Sequence, residues 1–239
     1  MQRINFQEIT KADKTAGDSL LVHSIFRTIQ GEGPNVGQPS IFVRLGGCNL
    51  QCPGCDTEYT KGTTRQSLPQ IMVQIIELSV MSAVKPLIVI TGGEPFRQSI
   101  VPFINMLFVH DFRVQIETNG TLGIDRAITL NKEAWRSLEI VVSPKAGKVH
   151  ESLYPFIIAY KYVASAGNID STDGLPTTVL GLPGRPARPH GEYEYEVFLQ
   201  PADEVDIVLN KRNTDAVIKS CMRHGYSLCL QTHKFVNLP

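Results

Sequence analysis

The sequence predicts an α/β fold with a mostly parallel sheet, curled into a barrel or partial barrel. Two observations carry that prediction. Short apolar runs alternate with stretches of helical spacing, the signature of strand–helix–strand units. Polar or glycine residues also cluster directly after successive apolar runs: at Cys48 to Cys55, then at residues 91–95, 117–120, 143–145 and 200–203. In parallel α/β architectures the C-terminal ends of different strands converge on one mouth, and sites form there.

The elements follow in order. Residues 40–45 (Ser-Ile-Phe-Val-Arg-Leu) predict a strand that ends just before the cysteine loop. Residues 68–81 have helical spacing, with Ile71, Ile75, Leu78 and Val80 or Met81 toward one side. Residues 87–90 predict a buried strand. Residues 99–109 predict a helix, with Ser99 as its N-cap. Further strands are predicted at 113–117, 139–142, 156–163 and 193–199. Asn213 and Thr214 would cap a helix to about Arg223, stopped by Gly225, and a last strand covers 226–230.

The flanks and one insertion depart from this pattern. Residues 1–18 are polar and read as an N-terminal extension. Residues 166–191 hold Pro176, Pro183, Pro186 and Pro189 and read as an irregular Pro/Gly-rich insertion, with Arg185, Arg188 and His190 in solvent. No internal repeat or second domain is visible, so one domain over 1–239 is expected.

Composition narrows the class. Apolar residues make up 42% and charged residues 19%, which fits a packed globular chain. Lys plus Arg and Asp plus Glu are 23 each, so no net field favours nucleic acid or a membrane surface. No apolar run reaches the ~20 residues of a membrane span, and the first twenty residues carry no apolar signal core. A cytoplasmic location is expected.

Five cysteines are present, an odd number, and three of them are clustered as C-x3-C-x2-C at Cys48, Cys52 and Cys55. In a reducing compartment such clusters are more often metal ligands than disulfides. Three thiolates on one loop can hold three irons of a 4Fe–4S cube and leave the fourth iron open to a small molecule. Structural zinc is the competing reading. It wants four ligands, and none of the six histidines stands in paired spacing with these cysteines. Cys229, in an apolar run, and Cys221, on a helical segment, read as small core residues.

A second motif, Thr91-Gly92-Gly93-Glu94-Pro95, follows a predicted strand. Two glycines let backbone approach a ligand closely, and the Glu94 carboxylate could bind an ammonium group. Alone, this is also what a plain glycine turn looks like. Residues 31–37 (GEGPNVG) lack the Gly-Lys-Ser/Thr of a phosphate loop.

Together the two motifs resemble the radical S-adenosylmethionine superfamily. The resemblance implies a modified, partial TIM-like barrel of the radical SAM type. It also implies that the methionyl amine and carboxylate bind the open iron, and that an electron from the cluster yields a 5′-deoxyadenosyl radical. In one respect the chain departs from the pattern: Gly54 stands where an aromatic residue usually precedes the third cysteine.

An ordered set of further segments resembles one family within it, the 7-carboxy-7-deazaguanine synthases of queuosine biosynthesis. These segments are Thr28-Ile29-Gln30-Gly31-Glu32-Gly33, Phe42 to Cys48, Cys55-Asp56-Thr57, Gln115 to Gly120, Val142-Ser143-Pro144-Lys145 and Gln231 to Phe235. The resemblance implies a carbon–nitrogen lyase-type reaction: 6-carboxy-5,6,7,8-tetrahydropterin contracts to 7-carboxy-7-deazaguanine with loss of ammonia. S-adenosylmethionine would be used catalytically.

By position it implies Cys48, Cys52 and Cys55 as cluster ligands and Thr57 as a Mg2+ ligand. Gly54, Cys55, Asp56, Gly93, Glu94, Ser143, Pro144, Lys145, Gln200, Pro201, Ala202 and Asp203 match cofactor-binding positions. Ile29, Gln30, Gly31, Glu32, Arg44, Thr91, His233 and Pro239 match substrate contacts, and Glu117 could face either ligand. A Pro239 contact needs a buried tail, which Phe235, Val236 and Leu238 would supply. The family also implies an external, flavodoxin-like electron donor and a homodimer.

Two other readings stay open from sequence. One is a glycyl-radical-enzyme activase, which shares the cluster and the glycine–glutamate motif. The other is a non-catalytic iron–sulfur or zinc protein.

Overall fold

A computed structural model describes residues 5–13, 17–124, 137–192 and 194–239. Residues 1–4 and 14–16 of the N-terminal extension, and Tyr193 of the expected 193–199 strand, lie outside the described residues. The strands are β1 (Ser19–Ile29), β2 (Pro39–Leu45), β3 (Thr64–Ser67), β4 (Leu87–Gly92) and β5 (Val114–Thr118). They continue with β6 (Leu138–Val142), β7 (Ile157–Ala164), β8 (Glu196–Pro201) and β9 (Ser227–Leu228). The helices are α1 (Leu68–Ser79), α2 (Val101–Val109), α3 (Ile207–His224) and the single turn α4 (Thr232–Phe235).

The nine strands among the described residues form one sheet in the order β3-β1-β2-β4-β5-β6-β7-β8-β9. From β2 to β9 every neighbouring pair is parallel, whereas β1 runs antiparallel to both β2 and β3. The edges β3 and β9 do not pair with each other, so the barrel is partial.

The pleat sorts the side chains. Successive residues of a strand face opposite sides, and one parity carries the core. Ile41, Val43 and Leu45, Ile88 and Ile90, Val114 and Ile116, Ile140 and Val142, Tyr160 and Tyr162, and Leu199 are all essentially solvent-free in one apolar cluster with residues of α1 and α2. Each such burial contributes roughly 1.5–3 kcal/mol. The opposite parity faces the concave side, and toward the strand ends it turns polar: Arg44, Thr91, Glu117, Lys161 and Gln200. Deeper in the concave face, Asn35 donates to Gln115 (2.8 Å) and Glu139 (2.5 Å). These bonds tie the loop between β1 and β2 into the barrel interior.

Several local expectations are corrected. The helix at 68–81 stops at Ser79, and Val80 and Met81 are exposed. Its start is set by Ser67 and Gln70 in a reciprocal capping box. Ser99 is not a cap: α2 starts at Val101, with Ile100 at the cap position and a proline in the first turn. The helix expected from Asn213 begins instead at Ile207, capped by Asp206, which accepts from the backbone N–H groups of Val208 and Leu209. Asn213 is buried within it, donating to the Ala202 carbonyl and accepting from the Ala166 amide. Gly225, at φ 77°, ends the helix as expected. The last strand shrinks to two residues, and β1 and β3, which the sequence reading left out, complete one edge of the sheet.

Residues 166–191 form turns rather than strands, tied down by Arg185 to Asp170 and Asp173 and by Arg188 to Asp173, all at 2.7–2.8 Å. Arg185 and Arg188 are therefore ion-paired, not simply solvated. Leu175, Val179 and Ala187 of the same segment are buried.

Candidate active site

The cysteine loop leaves β2 at Gly46 and Gly47. Gly47 takes φ 80°, a left-handed conformation suited to glycine. The loop after β4 packs directly on it. The amide of Gly93 donates to the Leu45 carbonyl (3.1 Å), and that of Glu94 donates to the Gly47 carbonyl (3.0 Å). A Cβ on Gly93 would overlap the Gly47 carbonyl, and one on Gly92 would overlap Leu45. The glycine pair thus permits backbone-to-backbone contact with the cysteine loop. Arg97 and Gln98 brace the same loop through the Gly46 carbonyl.

Glu94 occupies a place the sequence reading did not foresee. Its carboxylate is fully buried and accepts from Thr118 Oγ1 (2.7 Å), the Asn119 amide (2.8 Å) and the Phe96 amide (3.1 Å). It is not on the cavity wall. Burial pushes its carboxyl up to about 7, against the pull of those hydrogen bonds. Glu94→Ala strands three buried donors, so it is expected to cost about 3 kcal/mol of stability, read as a lowered midpoint in urea denaturation.

Residues 5–13 strap the outside of the cysteine loop. The Asn5 amide donates to the Pro53 carbonyl (2.8 Å) and that of Thr10 to the Cys48 carbonyl (2.7 Å). Gln7 Nε2 donates to the Thr57 carbonyl (2.8 Å), and its Oε1 accepts from the Tyr59 amide (2.7 Å). Residues 179–182 pack on the opposite side. The Gly54 amide donates to the Leu180 carbonyl (3.0 Å), and Gly181 lies against the Pro53 ring. Gly54, the position lacking an aromatic ring, is thereby covered by Leu180.

Cys48, Cys52 and Cys55 are free thiols, and all three line one cavity of about 830 Å³. Burial raises each thiol, Cys48 to about 12, while Lys145 pulls Cys52 and Cys55 partly back. Thiolate formation on this wall therefore calls for a cationic partner such as iron. Among the described residues, no three His, Cys, Asp or Glu side chains gather round a single-ion site. Three separate thiols on one wall suit a cluster, which takes them on different irons. Cys221 and Cys229 are buried in the core, as expected.

The cavity brings together most of the residues singled out from sequence. Near the cysteines stand Gly54, Asp56, Thr57 and Gly93, followed by Ser143 and Lys145 after β6, by Gln200 at the end of β8 and by Ala202 and Asp203 after it. Farther round are Ile29, Gln30, Gly31, Glu32, Arg44, Thr91, Glu117, His233 and Pro239. Pro144 and Pro201 are not on the wall. Thr57 Oγ1 lies 3.2 Å from Asp56 Oδ1. Lys145 Nζ donates to the Ser143 hydroxyl (2.6 Å).

Glu117 is held by Gln30 Nε2 (3.1 Å), Gln115 Nε2 (3.2 Å) and Thr91 Oγ1 (3.3 Å). Arg44 is different. Its guanidinium lies over the Phe26 ring at 5.2 Å, and its Nε is buried with no hydrogen-bond partner. It makes no ion pair among the described residues. Burial pulls its pKa down, opposed by Asp56 and Glu117, yet a guanidinium stays charged. A half-buried cation on a cavity wall, with no ion pair among the described residues, can receive an anion.

The C-terminal turn is anchored by polar contacts rather than by apolar burial. Phe235 and Val236 are exposed, contrary to expectation. The Thr232 amide and hydroxyl both donate to the Gly31 carbonyl at 3.1 Å, and Thr28 Oγ1 donates to a Pro239 oxygen at 2.9 Å. Gly31 is packed so closely by His233 that a Cβ would overlap its ring.

Lys161 is a wall residue that no sequence motif marks. It pairs with Glu32 on the same wall. The available signal was parity: a lysine between Tyr160 and Tyr162 in a parallel strand must face the side opposite the core.

Comparison with known proteins adds a lineage to this geometry. A model of the Radical SAM superfamily matches residues 42–147. A 7-carboxy-7-deazaguanine synthase from Rhodospirillum rubrum is 40% identical over 235 residues, covering 95% of each chain. Another from Rickettsia prowazekii is 41% identical over 251 residues, covering 99% of each. The crystal structure of QueE from Escherichia coli shares the fold, with a TM-score of 0.62 at 21% identity, covering 89% of this chain and 93% of that one.

Proposed function

Since the chain belongs to the 7-carboxy-7-deazaguanine synthase family, we propose that it converts 6-carboxy-5,6,7,8-tetrahydropterin to 7-carboxy-7-deazaguanine. Ammonia is lost, as in a carbon–nitrogen lyase, and S-adenosylmethionine is used catalytically. One observation carries the reading. A single cavity holds three free cysteines and the half-buried Arg44 guanidinium, whose Nε has no hydrogen-bond partner, so a cluster site and a carboxylate receptor would share one chamber. Its volume of about 830 Å³ lies toward the upper end of the range of ligand pockets.

Cys48, Cys52 and Cys55 would hold the 4Fe–4S cluster. Gly54, Asp56, Gly93, Ser143, Lys145, Gln200, Ala202 and Asp203 would hold S-adenosylmethionine, with Glu94 bracing the loop from behind. When bound, the cluster and S-adenosylmethionine supply the one-electron chemistry that removes hydrogen from substrate C6.

The remaining work falls to the chain. Arg44 takes the substrate carboxylate. Gln30, Glu32, Thr91 and Glu117 present fixed donors and acceptors to the pterin ring. His233, on the turn laid against Gly31, and Pro239, beside Thr28, line the same wall and would contact the substrate. Thr57, beside Asp56, supplies a hydroxyl oxygen for Mg2+, a hard cation that keeps water ligands and offsets carboxylate charge.

A flavodoxin-like donor would deliver the electron, and the enzyme would work as a cytoplasmic homodimer. No helix among the described residues is long and apolar enough to cross a membrane.

The test is anaerobic. Protein reconstituted with iron and sulfide, given dithionite, S-adenosylmethionine and the carboxytetrahydropterin, yields the deazaguanine and one ammonia per product. A peptide-directed activase would yield neither. Thr57→Ala is expected to lower kcat/KM about tenfold and to flatten the response to added Mg2+. Equal activity with and without Mg2+ in the parent protein would remove the ion from the scheme.

A further inference from the structure

We propose that Lys161 is a positioning residue for substrate recognition: paired with Glu32 on the cavity wall, it fixes that carboxylate as an acceptor for a ligand edge bearing adjacent N–H donors. The inference rests on the pterin reading above, because the pyrimidinone side of a pterin offers such an edge.

The geometry is specific. Glu32 sits in the loop between β1 and β2, and Lys161 lies across the barrel on β7 at a concave-facing position. Their side chains are only 13% and 12% exposed. Glu32 Oε2 accepts from Lys161 Nζ, and Oε1 accepts from Gln231 Nε2 (2.7 Å). A carboxylate oxygen can accept two hydrogen bonds, so each oxygen keeps capacity for a ligand N–H.

A carboxyl this secluded would ordinarily take up a proton, and a protonated carboxyl is an ambiguous partner for donors. Here burial does push Glu32 up, but the Lys161 charge, the hydrogen bonds from Lys161 and Gln231, and His233 outweigh it, and the net shift is downward. Lys161 is pulled down by burial but raised on balance by Glu32 and Glu117, with Cys229 adding to the rise. Lys145, another cation on the wall, feels Lys161 as a repulsion. Glu32 is therefore held ionised across the neutral range. Removing its counter-charge leaves a buried carboxylate alone, which raises its pKa toward neutrality.

The test is equilibrium binding of 6-carboxy-5,6,7,8-tetrahydropterin to cluster-loaded protein with S-adenosylmethionine and no reductant, between pH 6 and pH 8.5. In the parent protein Glu32 stays ionised throughout, so it contributes no pH dependence. In Lys161→Met the dissociation constant is expected to rise at least tenfold at pH 6 and to recover as pH rises through the elevated Glu32 pKa. Lys161→Arg is expected to restore binding to within about threefold. Because Lys161 acts through Glu32, the pair Glu32→Gln with Lys161→Met is expected to bind no more weakly than Glu32→Gln alone.

Parent-like, pH-independent binding by Lys161→Met would overturn the proposal, as would a double variant weaker than Glu32→Gln by the full Lys161→Met factor. Thermal unfolding is followed for each variant. If the single methionine variant does not fold, the double variant leaves no lone buried charge, and its comparison with Glu32→Gln decides. Failure of the parent protein to bind the pterin would instead overturn the functional reading, and this inference with it.

Discussion

Replacing any one of Cys48, Cys52 or Cys55 with alanine is expected to abolish turnover, a loss on the order of 10⁴-fold or more. The three thiols stand on one wall, and none is engaged in a disulfide. Each is braced differently: the Cys48 carbonyl by Thr10, the Cys52 carbonyl by Asn5, and Cys55 within a turn whose amide donates to the Cys52 carbonyl. Two cysteines cannot hold the cluster as three do, and no other cysteine lies on the wall to substitute. Iron and sulfide analysis after reconstitution, with paramagnetic resonance of the reduced protein, checks the claim. Cys221→Ala is the control. Cys221 is a buried residue of α3 and is expected to retain the full cluster and activity within about twofold.

Arg44→Met is expected to weaken binding of the carboxytetrahydropterin by about 3 kcal/mol, or roughly 100-fold, and to leave S-adenosylmethionine affinity within a factor of a few. The guanidinium is half-buried at the end of β2, stacked on Phe26, and has no ion-pair partner of its own among the described residues. Methionine keeps the apolar stem and removes only the charge and donors. Arg44→Lys is expected to recover part of the loss, because an ammonium cannot grip a carboxylate in two places. Calorimetric titration of each ligand separately checks both halves. A decarboxylated pterin should bind the parent and Arg44→Met proteins alike.

The parallel strands were legible because apolar runs such as 87–90 and 140–142 are buried on both faces and punctuated by polar turns. The cysteine spacing and the residues after each strand pointed to one mouth for the same reason: parallel strands all end on the same side.

What was hidden depends on long-range packing. Thr91-Gly92-Gly93-Glu94 looks like a ligand loop from sequence. In the fold its glycines admit the Leu45 and Gly47 backbone, and its carboxylate turns inward to Thr118 and Asn119. Residues 5–13 look like a polar tail because they bury almost nothing apolar; their attachment is a row of hydrogen bonds to carbonyls some forty to fifty residues away. The start of α3 was misplaced because Asp206, a sound N-cap, lies before a first turn (Ile207, Val208, Leu209) that is exposed rather than packed. Lys161 was readable from strand parity alone, but only once the core face of β7 was assigned to Tyr160 and Tyr162.

In the proposed reaction one chamber couples a cluster-bound S-adenosylmethionine to a carboxylated pterin without consuming the former. The most direct measurement is the ratio of 7-carboxy-7-deazaguanine formed to S-adenosylmethionine lost, taken anaerobically with excess pterin and limiting S-adenosylmethionine. Product is expected well in excess of the S-adenosylmethionine supplied. No deazaguanine, or one S-adenosylmethionine destroyed for each product, would contradict it.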